Sequence, residues 1–472
     1  MICEQAWPPG RPARELALLA LHSQDELEIV GALELLAQAG IPAEAACRAD
    51  PAPLVAIGST FGPLNPEPLA AVADIVFEGF GPLVWEAGVR ALHAQPPGIP
   101  RQARLEQLAS VPGLYIPALY ETTGRDARAL LVPRPRGAAP ARIHPPAASW
   151  LLAADPGSGT GAAGPLEVCA VLHDRGAEDA WRRGLEAVLS DAVPGRPVVV
   201  TGIAGASGGQ AADLAWLLDA AAARRVPVRV PALPAAAITE PLAARLRAQG
   251  QERITLPLAA GSGRVRGGVG GATLDEDLHE AFEALVRARF TQITLAAWVG
   301  VPGEGTEGAP AIVALVRKLV HGAVRALGDA RSLPAVALSL RSFTPRPWTQ
   351  FERLPMDSVA TLQAKQAQIR RAFRGDPSLH VLEDRPGWAV RANLVTRGDR
   401  RVGAVLAAVH EAHEDWESAL REVNLNPAFY LERQHPEAAE LPWGIVQWGP
   451  EPPFWLQPWE RGGFWGKGSS GN

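Results

Sequence analysis

The sequence predicts an α/β protein organised around a barrel or half-barrel of parallel strands. Two observations carry that prediction. From Leu166 onward short apolar runs alternate with longer helical patterns, as βα repeats joined by crossover helices require. A smaller unit of the same kind precedes them, and at 472 residues the chain is too long for one hydrophobic core.

Taken in order, apolar residues recur at helical spacing from Arg14 to Ala39, and Gly40-Ile41-Pro42 stops them. Leu54 to Ile57 reads as a strand entering the Gly58 to Gly62 turn. Asn65-Pro66-Glu67-Pro68 then opens a helix, and Asp74 to Gly79 reads as a second strand before a helix from Pro82 to Ala94. Arg134 to Gly164, rich in Pro, Ala and Gly, reads as a linker. The barrel strands are expected at Pro197–Thr201, Val226–Val230, Arg253–Leu258, Thr291–Val299 and Ala335–Leu340, with helices at Ala211–Arg225, Asp275–Arg289 and Ala309–Leu327. Beyond Arg353 the pattern predicts a helix through Phe373, a strand at Trp388–Leu394 and a helix from Arg401 to Val423. The last stretch, Pro450 to Asn472, mixes Trp, Phe, Pro and Gly without a period, which suits a segment that wraps a groove or docks on a partner.

Composition narrows the function. A net charge of -5 gives no global field for nucleic acid, although a local basic face remains open. Three distant cysteines, Cys3, Cys47 and Cys169, argue against a disulfide framework and for a reducing, cytoplasmic compartment. No leader pattern or long apolar span is read in the chain, so secretion and membrane insertion are not expected.

Several stretches carry polar groups suited to chemistry. His173-Asp174-Arg175 follows an apolar run at an expected strand end, where barrels display functional side chains, and an imidazole beside a carboxylate can act as acid or base. The glycine loop 202–209 and the run Ala260-Gly261-Ser262-Gly263-Arg264 each sit between a strand and a helix, where backbone N–H groups can cradle an anion. Neither has the P-loop lysine or the dinucleotide-binding glycine spacing. Arg397, Arg400 and Arg401 around Asp399 form the densest basic segment, suited to a phosphate backbone, or to a helix start capped by Asp399. His410 and His413 share a helical face without a thiolate nearby, and no metal site is expected.

In this order the pieces resemble the fused cobalamin-binding and radical S-adenosylmethionine (SAM) proteins that carry an extra C-terminal region. The resemblance rests on Leu64-Asn65-Pro66-Glu67-Pro68-Leu69, Asp74, Glu78-Gly79, Val111 to Pro117, His173-Asp174-Arg175, Ala260-Gly261-Ser262, Val299 to Glu304, Ser342 to Thr349, Arg397 to Arg401 and Leu441-Pro442-Trp443. It implies a radical-SAM-like partial (β/α)6 barrel at 165–350, behind a truncated Rossmann-like, cobalamin-binding-type domain at 1–100 and a connector at 101–164. An α+β region at 351–449 and the tail at 450–472 complete the chain.

The departures from the family matter as much. Its enzymes follow His-Asp-Arg with three clustered cysteines that ligate a 4Fe–4S cluster. Here the corresponding run is Trp181-Arg182-Arg183-Gly184-Leu185-Glu186-Ala187, and no cysteine occurs after Cys169. The acidic positions near the cosubstrate correspond to Ala259 and Gly263. The first domain begins partway into its fold without a cobalt-ligating loop, and His22 and His93 do not match one.

No 4Fe–4S cluster and no cobalamin are therefore expected, and Gly58, Gly62, Gly261 and Ser262 remain as weak cofactor contacts. The leading expectation is a non-catalytic scaffold or adaptor bound to a protein partner, such as an active homologue, with Arg397, Asp399, Arg400, Arg401, Trp455 and Trp459 as partner or anion contacts. The alternatives are an enzyme of other chemistry using His173, Asp174, Arg175, Arg264 and Arg341, or a protein that binds RNA or another polyanion.

Overall fold

The computed structural model describes residues 12–447, apart from 23–26, 59–64, 79–81, 125–128, 138, 145–152, 156–165, 170–185, 187–188, 191, 193–196, 202–207, 270–272, 330–332, 377 and 413–414. His173, Asp174, Arg175, Gly62, His413, Trp455, Trp459 and the rest of the tail lie outside the described residues.

The first unit is a sheet of β1 (Leu18–His22), β2 (Leu54–Gly58), β3 (Ile75–Phe77) and β4 (Leu114–Tyr115), parallel until β4 joins in the opposite sense. β2 and β3 are buried throughout. Helices Glu28–Gln38, Pro82–His93 and Arg101–Leu108 accompany it. Asp74, just before β3, holds the unit together. Its carboxylate accepts from Arg48 at 2.8 Å, pairs with Arg101 at 2.6 Å and takes the Val55 amide at 2.8 Å. A buried carboxylate is tolerated because its lone pairs are met by charged donors.

β5 (Tyr120–Thr123) and β6 (Val132–Pro135) form an antiparallel hairpin in the connector. Next come β7 (Ala153–Asp155), β8 (Leu166–Cys169), β9 (Val198–Thr201) and β10 (Val228–Arg229), then β11 (Arg253–Ala259), β12 (Gln292–Val299), β13 (Ala335–Ser342) and β14 (Leu379–Glu383). These form two four-stranded sheets, each in chain order, and a parallel bridge from Ala232 to Thr255 joins them. From β8 to β14 every described pairing is parallel, while β7 is antiparallel to β8. This is the succession of a partial parallel barrel.

Along β12 burial alternates: Ile293, Leu295, Ala297 and Val299 are buried, whereas Trp298 is 39% exposed. The period of two assigns one face to the core, and helices Asp275–Arg287, Gly308–Leu327 and Val359–Ala372 pack with this part of the fold.

Four expectations need correction. The helical pattern at 14–39 splits into strand β1 and helix Glu28–Gln38, because Leu18 to His22 pairs in register with the buried β2. A short apolar run has no period that separates the two states. The helix expected at Asn65 is a succession of turns, with Leu69 bonding back to Pro66 and Ala70 to Glu67. Trp388–Leu394 is helical within Pro386–Arg397, where Pro386 sits at the helix start that its fixed φ favours, and the strand lies earlier, at β14. The helix expected from Arg401 to Val423 is two, Arg400–Glu411 and Trp416–Glu422, the second capped by Asp415. Among the described residues no helix is long and apolar enough to cross a membrane.

Candidate functional site

Parallel strands aim their C-terminal ends at one rim, where α/β proteins usually place their chemistry. On this rim β11 ends at Ala259, whose φ of 58° turns the chain sharply into Ala260-Gly261-Ser262. Ser262 caps the helix Gly263–Gly268 by accepting from the Val265 amide at 3.3 Å. Gly261 lies so close to helix Gly308–Leu327 that a Cβ would fall 2.2 Å from the Ile312 nitrogen. Arg266, 1% exposed, donates to the carbonyls of Ala260 and Gly261 and pairs with Asp275. Arg264 donates to the Gly303 carbonyl at 2.9 Å. The run that reads as an anion cradle is thus a packed corner.

The other strand ends are latched in the same way. Glu304 takes the Gly300 amide at 2.8 Å and the Lys365 ammonium at 2.6 Å, and Lys365 also reaches Asp357 at 2.7 Å. Ser342 at the end of β13 donates its amide to Asp384 at 2.7 Å and its hydroxyl at 3.0 Å, while Gln366 donates to the same carboxylate at 2.7 Å. These carboxylates hold βα loops together. Trp298 and Arg341, neighbours in register on β12 and β13, face outward beside Phe343. The sequence placed Arg341 among the reactive groups but singled out neither latch, whose longest ties, Lys365 to Glu304 and Ser342 to Asp384, span 61 and 42 residues.

At Gly58 a Cβ would meet the Trp85 indole at 2.7 Å, and that ring stacks on Phe77 with centroids 4.0 Å apart.

The arginine segment also lies inward. Arg397 is 1% exposed and donates to the carbonyls of Leu354 and Glu352. Burial, opposed by Glu352, lowers its pKa to about 10. Asp399 is fully buried and accepts from the Leu131 amide, the Arg401 guanidinium and the Tyr430 hydroxyl. Arg400 bonds Glu67 and the Tyr115 hydroxyl at 3.0 Å each. Arg397 and Asp399 are therefore buried internal ties, whereas the Arg400 and Arg401 side chains are partly exposed. His410 faces Glu34 at 3.7 Å.

A group the sequence did not single out is His435, 4% exposed. Burial first, then the guanidiniums of Arg397, Arg433 and Arg353, push its pKa down to about 4. A folded value below the unfolded 6.5 means that the unfolded chain binds the proton more readily between those values. Stability should therefore fall as pH drops from 6.5 towards 4, by on the order of 2 kcal/mol after allowance for solvent screening. Urea midpoints across that window, compared with those of His435→Gln, measure it. An equal slope in the variant would remove His435 as the cause.

Residues 6–117, which include the first unit, match the family described as "Radical SAM proteins, N-terminal". The sequence resemblance implies a cobalamin-binding-type unit here, and the description of the matched family mentions no cobalamin. No curated protein matches the chain. Among solved structures the chain is similar to coproporphyrinogen III oxidase (HemN) from Escherichia coli, a radical SAM enzyme, at 10% identity over 54% of this chain and 73% of that one, with a TM-score of 0.29. HydG, a maturase of the FeFe-hydrogenase, is similar at 12% identity over 54% and 76%, with a TM-score of 0.28.

The cysteine motif that would hold a 4Fe–4S cluster is missing from the whole sequence, which has three cysteines and none beyond Cys169. Among the described residues, no group of three or more His, Cys, Asp or Glu is arranged to hold a metal.

Proposed function

We propose that this chain is a non-catalytic relative of the radical SAM proteins, a cytoplasmic scaffold or adaptor that acts by docking on a protein partner, foremost an active homologue. The observation that carries the reading is the missing thiolate set: soft sulfur ligands hold such a cluster, and the stretch after Cys169 offers none. The rim supports it, because its carboxylates Glu304, Asp357 and Asp384 are spent on tying loops together.

Anaerobic reconstitution with iron and sulfide should yield no stoichiometric 4Fe–4S signal by electron paramagnetic resonance and iron analysis. A clear signal that survives Cys169→Ser would overturn the reading. Purification of the native complex supplies the second arm: a cluster-containing homologue recovered in fixed ratio is the expected result, and a chain that purifies alone at native concentration would remove the adaptor role.

A further inference from the structure

β14 ends the sheet β11-β12-β13-β14, and no described strand pairs with its outer side. We propose that this edge is an interface between two copies of the chain, with their β14 strands paired antiparallel about a two-fold axis through Val381.

The backbone sets the register. Along a strand, successive residues direct their amide and carbonyl groups to alternate sides. The Asp384 amide bonds the Leu340 carbonyl on β13, so His380 and Leu382 also turn towards β13, in step with the pairs Ala337–His380 and Ser339–Leu382. Leu379, Val381 and Glu383 therefore present their backbone groups to the open edge. Antiparallel pairing centred on Val381 sets that residue against its own mate and Leu379 against the second copy's Glu383, which uses every one of these groups. Native edges are usually blunted by lysine, proline or a bulge. Residues 378–383 hold no lysine or proline, the register to β13 runs without a shift, and the Glu383 carboxylate is tied to Arg370 of its own chain.

The flanks single out a second copy as the occupant. Before β14 stand Arg374 and Asp376, and after it Arg385 and Trp388, all exposed. Antiparallel pairing lays the flank before β14 in one copy beside the flank after it in the other. Asp376 then meets Arg385 and Arg374 meets the Trp388 ring, each contact repeated by the symmetry. Arg317 of the same copy also acts on Asp376, but its guanidinium is held by the Ala372 carbonyl. Leu382 and Trp388, 52% and 53% exposed, are covered by the same pairing, Leu382 opposite the second copy's His380.

Sedimentation of the full chain tests the interface. A reversible dimer in the micromolar range is expected, at twice the 49.9 kDa of one copy. Arg385→Asp and Asp376→Arg change exposed side chains and set like charges against each other, so each should weaken the dimer about tenfold or more. An equimolar mixture of the two variants should recover the wild-type affinity, because in a mixed dimer both flank contacts again join opposite charges. Leu382→Ser should weaken the same dimer without touching either flank. Circular dichroism confirms the fold of each variant. A chain that stays at 49.9 kDa, its edge open or closed by another part of itself, would overturn the proposal. So would a dimer that neither flank variant weakens, or one that the mixture does not restore.

Discussion

Replacing Gly261 by alanine is expected to be among the most damaging single changes in the barrel region, lowering stability by about 3 kcal/mol. The added methyl group would lie 2.2 Å from the Ile312 nitrogen and 2.4 Å from the Ala311 carbonyl carbon, both backbone atoms of helix Gly308–Leu327. A side chain could rotate away; a helix backbone has to translate. That movement would disturb the helix's contacts with Asp275–Arg287 and Val359–Ala372. The matched control is Gly263→Ala, whose methyl would meet the Arg266 guanidinium at an ordinary 3.5 Å and should change stability by about half a kcal/mol or less. Urea midpoints measured side by side decide the matter: similar losses in the two variants would mean that Gly261 is not held by close approach.

Asp399→Ala should cost a comparable amount, about 3 to 5 kcal/mol. The carboxylate is fully buried and collects the Leu131 amide at 2.9 Å, the Arg401 guanidinium at 2.6 Å and the Tyr430 hydroxyl at 3.0 Å, while capping the helix Arg400–Glu411. Alanine leaves all of these donors without their acceptor. Asp399→Asn keeps the shape and one acceptor oxygen but removes the charge, so it should fall between the two. Denaturation of the three proteins, followed by tryptophan fluorescence and circular dichroism, gives the order. A wild-type midpoint for the alanine variant would show that water replaces the network at little cost.

The central strands were legible in the sequence because each is a run of alternating or continuous apolar residues followed by a helix of clear period. β11, β12 and β13 fall within two residues of the expected ends. β1 was hidden because Leu18 to His22 is apolar enough to continue the helical pattern around it, and only pairing with β2 decides its state. The candidate site was less legible, for a related reason. Arg397 to Arg401 is a dense basic cluster in one dimension, but besides Glu352 and Leu354 the groups that absorb it include Glu67, Tyr115, Tyr120, Ala129 and Leu131, 268 to 333 residues away. His435 gave no local signal at all, since two of the guanidiniums that govern it, Arg353 and Arg397, come from other elements.

The tie between Glu67 and Arg400 also bears on how the protein is made. Asn65 donates to the carbonyls of Thr396 and Gly398, and Ile143 pairs with Val446, so the late part of the chain closes on segments more than 300 residues earlier. A ribosome delivers Arg400 333 residues after Glu67, an interval of roughly 17 to 67 seconds at ordinary elongation rates. Until then the Glu67 carboxylate, fully buried in the finished chain, has no guanidinium partner. Completion of the tie is therefore a late event in translation, and a chain released before Arg400 lacks the counter-ion of its own first domain.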